Sequence, residues 1–267
     1  MSGAARIARP RPGPITRSVL IPLGAAPAQG RLRHGPARAT LGLVGLNGAV
    51  FAALALLPRG GLGRALYTAG AIPWEIARGA DLVDGPLHGP ALVPPPFTIL
   101  SSLFLHGSLP HLAGNMWFLW VFGRGVEAAL GGARFLLFYL GTGVLAAVAQ
   151  VAMTPGSQIP MVGASGAIAG VLGAYALLYP RARVQIALFL LYAADIVVVP
   201  AAVALSAWLL WQLLAGGGGG AIAVWAHITG FVFGAVGGKL LAAPRPRPTP
   251  TPWTGAPRPA ASSSSPR

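Results

Sequence analysis

Long apolar runs almost free of charge, most of them bounded by arginine or proline, constrain this chain more than any other feature. The first covers residues 40–57 and ends at Pro58-Arg59; others cover about 106–125, 135–153, 164–179, 196–214 and 222–242. Crossing a bilayer takes about 20 apolar residues. A single segment in lipid must satisfy its own backbone hydrogen bonds, which leaves the helix as its only form. Charged residues make up only 9% of the chain, against about 25% in a soluble domain. The expected fold class is therefore all-α: a polytopic membrane protein with six transmembrane helices over residues 39–243. Residues 1–38 read as a disordered basic arm, and the Pro/Ser/Arg-rich residues 244–267 as a disordered tail.

The formal charge of +14 raises nucleic acid as a partner, but its distribution excludes that reading. Seven of the nineteen basic residues precede residue 39 and four follow residue 244. Arg124, Arg134, Arg181 and Arg183 sit in loops on the same side as the tails, whereas 155–160 and 215–221 carry no charge. Arg59, Arg64 and Arg78 are exceptions, in a long segment partly balanced by three acids; by the positive-inside rule both termini are expected in the cytoplasm. The lipid bilayer is the partner implied, and the Ala/Gly/Pro/Arg-rich composition points to a bacterial cell membrane. The segment 59–98 is too polar to cross and is expected at the interface, with Tyr67 and Trp74 as anchors. Residues 184–194 read as an interfacial piece or as early turns of the fifth span, with Pro200 in that helix's first turn.

Polar groups at membrane depth are costly and tend to be functional. Four stand out: His111, Asn115, Ser165 and His227. With six spans, the second, fourth and sixth run from outside to inside, which puts all four residues in the outer third of the membrane. His111 and Asn115 are four apart and share a helix face. Gly166, Gly170 and Ala174 form a small-residue stripe on the fourth helix, and Gly230 and Gly234 continue one after His227 on the sixth. Such stripes let backbones approach closely and would bring Ser165 to His227. A serine hydroxyl needs a base within hydrogen-bond reach to act as a nucleophile, and histidine can be that base and then the general acid. Ser165 opens its helix, where free N–H groups face a developing anion. His111 and Asn115 can donate further hydrogen bonds to an oxyanion. No acid is placed to complete a triad, so the arrangement is a Ser–His dyad. Each residue alone also has a plainer role in packing or as glue between helices.

These residues resemble the rhomboid intramembrane serine proteases. The resemblance rests on His111-Leu-Ala-Gly-Asn115 with an aromatic-rich run to Gly123, on Glu127, on Gly163-Ala-Ser165-Gly166, and on Ala226-His227-Ile-Thr-Gly230 followed by Gly234. Phe104-Leu-His106-Gly107 and Asn47 fit as well. The resemblance implies a six-helix bundle with a water-filled cavity open to the outside. It also implies cleavage of single-pass transmembrane proteins near their outer ends, without a cofactor. By position, Ser165 and His227 would be catalytic, and His111 and Asn115 oxyanion contributors. Gly163 would shape the loop beneath the nucleophile, His106 would hold the 59–98 segment, and the fifth helix would be a candidate gate. Glu127 is expected to pair with a nearby arginine. Some members carry an aromatic stacked under the histidine where this chain has Ala169, so His227 must be oriented otherwise. The stretch 98–102 also lacks the arginine that many members carry.

Other classes fit less well. A transporter predicts inverted repeats or broken helices at the midplane, and no clear repeat is present. Inactive rhomboid-like proteins lose the serine or the histidine, and both are here. Metal chemistry is not expected, since there is no cysteine and no His-Glu-x-x-His.

Overall fold

The computed structural model describes residues 19–26, 37–58, 60–82, 93–190, 193–215 and 223–242. His34, Asp84, His88, the glycine run 216–220 and the tail from 243 onward lie outside the described residues.

The fold is mostly helical. Helix α1 (Arg38–Ala55) is followed by the short α2 (Gly61–Ala69) and α3 (Pro73–Arg78), a 3-10 turn at Pro95–Phe97, and α4 (Thr98–Ser102). Next come α5 (Leu109–Phe118), a π-helical stretch (Leu119–Gly123) and α6 (Arg124–Leu130), continuous with one another. Then follow α7 (Gly132–Met153), α8 (Ser165–Leu178), α9 (Ala201–Ala215) and α10 (Val224–Leu241). Among the described residues, α1, α7 and α10 are long and apolar enough to cross a membrane, while α8 and most of α9 are shorter apolar helices. Leu137 on α7, Leu214 on α9 and Leu240 on α10 are each more than 70% exposed. Apolar exposure on this scale suits lipid as the surrounding solvent, and the protein is a membrane protein.

The core lies between α5–α6, α7 and α8, where Phe122, Phe135, Tyr139, Leu172 and Tyr175 are almost fully buried. Ser108 caps α5, its hydroxyl accepting from the His111 N–H at 3.3 Å, and Pro110 occupies the first turn, where its missing N–H is harmless. His106 precedes this helix rather than opening it. Gly131, at φ +82°, turns the chain between α6 and α7.

The sheet departs from the all-α expectation. Strand β1 (Val19–Ala26) pairs antiparallel with β2 (Arg183–Leu190), and β2 pairs with β3 (Ala193–Pro200). Eight residues of the arm expected to be disordered are thus a strand, and β2 and β3 stand where an interfacial piece or early turns of the fifth span were expected. The fifth helix begins at Ala201, so Pro200 ends a strand instead of opening a helix. The physical reason is local: Ile196-Val-Val-Val199 is β-branched throughout, which favours a pleated strand.

Glu127 also differs from expectation. Its carboxylate accepts from the α1 N-terminus: Ala39 N–H at 3.0 Å, Thr40 N–H at 2.8 Å and the Thr40 hydroxyl at 2.7 Å. A carboxylate there satisfies orphan donors and the helix dipole together. The adjacent Arg124 instead stacks over Trp120, 4.5 Å from its ring centre.

Residues 60–82 fold over the connection between α7 and α8. Ala71 and Met161 exchange backbone hydrogen bonds, and Trp74 N–H donates to Ser157. Gly163 N–H donates to the carbonyl of Ser102 at the end of α4. These bonds fix the stretch leading into Ser165.

Candidate active site

The seam between α8 and α10 sets the site. A β-carbon on Gly230 would collide with the carbonyl of Gly166, one on Gly234 with the backbone of Gly170, and one on Gly238 with Ala174. The backbones touch because neither helix has a side chain in the way. On its other side, Gly166 sits close to Ala146 of α7; a β-carbon there would lie 2.8 Å from the alanine methyl.

At the N-terminal end of this seam the Ser165 hydroxyl lies 2.9 Å from Nε2 of His227. Ser165 is the first residue of α8, and His227 is buried in the first turn of α10. Gly163 has φ +117°, a conformation that side chains rarely adopt. A β-carbon there would lie 2.8 Å from the His111 ring and 3.5 Å from Asn115 Nδ2. The glycine thus lets His111 and Asn115 approach the loop just before the serine. Asn115 is buried, and its Nδ2 has no hydrogen-bond partner among the described residues. A buried amide donor of this kind can serve as a hydrogen-bond donor to an oxyanion. His106 is fully buried, with its ring edge-on to His111 at 5.1 Å. Its observed contact is thus with the site histidine.

Ser165, His227, His111 and Asn115 all line one cavity of about 840 Å³. Its wall also includes Met161 and Val162 from the connecting loop and Trp208 and Gln212 from α9. The chemistry available is that of a hydroxyl paired with an imidazole beside an unused amide donor. That set suits acyl transfer.

Three contributors were missed from the sequence. Gln212 places Oε1 3.1 Å from His227 Nδ1. Trp208, one turn earlier, sets its ring 5.8 Å from the imidazole. Gln150 of α7 accepts from the Ala226 N–H at 3.2 Å, next to the histidine. The available signal was an uncharged amide within each of two apolar helices, and the four-residue spacing of Trp208 and Gln212.

A family model for the Rhomboid domain matches residues 95–244, more than half of the chain. Among curated proteins, the chain is 43% identical over 76 residues to Rhomboid protease GluP of Bacillus subtilis, covering 28% of this chain and 14% of that protein. It is 31% identical over 96 residues to Rhomboid protein 1, mitochondrial, of Saccharomyces cerevisiae, covering 34% and 28% respectively. Putative rhomboid protease YdcA of Bacillus subtilis is 36% identical over 77 residues, covering 29% and 38%. The matched portion is thus well under half of each relative's own length. With the family model spanning α4 to α10 and every element of the site, the chain belongs to the rhomboid family.

Proposed function

We propose that the protein is an intramembrane serine endopeptidase working by a Ser165–His227 dyad. The observation that carries this reading is the 2.9 Å contact between Ser165 Oγ and His227 Nε2 on the wall of a large cavity. Family membership supports it. His227 Nε2 takes the Ser165 proton as Oγ attacks the scissile carbonyl carbon. The resulting oxyanion is held by Asn115 Nδ2, His111 and the free N–H groups at the start of α8. The C–N bond then breaks and His227 returns the proton to the leaving amine. Water, deprotonated by the same imidazole, hydrolyses the acyl-enzyme. Gly163, Gly166, Gly230 and Gly234 keep the reacting elements close, and His106 supports His111.

The substrates are single-pass transmembrane proteins cut near their outer ends, where the cavity opens. Six spans cross the membrane: α1, the continuous α5–α6 unit, α7, α8, α9 and α10. Both termini lie in the cytoplasm of a bacterial cell, which agrees with the arginine distribution. Residues 39–243 form the membrane domain, to which the arm adds strand β1. The chemistry uses no cofactor.

The test is cleavage of a single-span substrate in liposomes. Ser165→Ala and His227→Ala should each lower the rate by at least about a thousandfold with the fold intact, the scale of loss seen when a serine or its base is removed. Cleavage at the wild-type rate by either variant would remove the dyad.

A further inference from the structure

We infer that Gln212 is a positioning residue that holds His227 in its working tautomer, turning the dyad into a Ser–His–Gln array. This rests on the reading of Ser165 and His227 given above. A neutral imidazole carries one N–H, and its other nitrogen accepts. For Nε2 to receive the Ser165 proton, the imidazole proton must sit on Nδ1. Gln212 Oε1 lies 3.1 Å from Nδ1 and is the acceptor that this arrangement requires. The opposite tautomer would set an N–H against the serine and a bare Nδ1 against the amide oxygen.

The surroundings leave few other ways to fix the ring. Residue 169, one turn beyond Ser165, is a buried alanine, so α8 supplies no aromatic beneath the imidazole. The imidazole instead meets the ring of Trp208, four residues before Gln212 on the same α9 face. That tryptophan is itself packed against Phe118 at 6.5 Å. Helix α9 therefore holds His227 twice, by a tilted ring contact and by a hydrogen bond. The groups facing the imidazole, namely Ser165 from α8, Gln212 and Trp208 from α9 and His111 from α5, include no carboxylate. An amide can direct the proton without bringing a second formal charge into a buried site.

The experiment uses the full chain in liposomes with a fluorogenic single-span substrate. Gln212→Met keeps the side chain's length and removes the acceptor; Gln212→Glu keeps an acceptor oxygen. Gln212→Met should lower kcat by about 10- to 100-fold with KM within about twofold, below the roughly 10⁴-fold loss when the acid of a soluble triad is neutralised. Gln212→Glu should stay within about fivefold of wild type. Nitrogen-15 spectra of the histidines, with His227 assigned by its loss in His227→Gln, should show the proton on Nδ1 in the wild type and a tautomer mixture in Gln212→Met. A wild-type kcat in Gln212→Met overturns the inference, as does equal damage in Gln212→Glu. So does a proton on Nε2 in the wild-type protein, a result that needs no position-212 variant to fold. Full activity in Ser165→Ala or His227→Ala would instead sink the dyad itself. Loss in those two with none in Gln212→Met sinks only the role of Gln212.

Discussion

Helices α8 and α9 both meet the site histidine, and they do so by opposite means. Helix α8 packs along its length on α10, glycine against backbone, and brings Ser165 to His227 as a consequence of that fit. Helix α9 buries Ala201 and Leu205 at its start, while Leu210, Trp211, Leu213 and Leu214 are exposed. Near its far end it reaches the site through two side chains, Trp208 and Gln212. Ser165, the proposed nucleophile, is thus placed by a seam of backbone contacts, and the orientation of His227, its proposed base, depends on a thinly held neighbour. Removing a single hydroxyl or imidazole should abolish the chemistry, but the position of the reacting atoms is distributed over a whole interface.

The comparison breaks most severely at the seam. Gly230→Ala should lower substrate cleavage by at least about a hundredfold and depress the melting temperature in detergent. Alanine is worth about 1 kcal/mol more than glycine as a helix former, but its methyl would meet the carbonyl of Gly166, which cannot rotate away. Overpacking of about 1–3 kcal/mol or more, released by spreading α8 from α10, outweighs that gain and pulls Ser165 from His227. A variant with wild-type activity and melting temperature would show that the seam does not set the geometry. The Gln212→Met effect described above is intermediate, acting on orientation and not on proximity. The smallest effect belongs to the outer face of α9. Leu214→Ala should leave kcat within about twofold and stability within about 0.5 kcal/mol, as for an exposed position. A tenfold loss there would show that α9 is held by contacts along its whole length.

The same contrast explains what the sequence disclosed. The seam was legible because small residues at four-residue spacing on two helices leave a periodic trace, and the serine and histidine sit at the same end of both stripes. The mostly helical membrane fold was legible from the apolar runs for a similar reason. Gln212 left only a weak trace, an amide in an apolar helix four residues after Trp208, since its partner lies fifteen residues away on another helix and only the fold makes them neighbours. Glu127 was misread for a related cause: its partners are backbone donors at the start of α1, 87 and 88 positions away, and backbone groups look alike in any sequence. The sheet was missed because β1 and β2 lie more than 150 residues apart, and the β-branched run at 196–199 also reads as an apolar helix.

The most direct test of the central claim is covalent labelling by a fluorophosphonate, which reports an activated serine without any substrate. The wild-type protein should be labelled at Ser165 alone, Ser165→Ala not at all, and His227→Ala at a rate reduced by at least about a hundredfold. Labelling of His227→Ala at the wild-type rate, or labelling at another residue, would contradict the account.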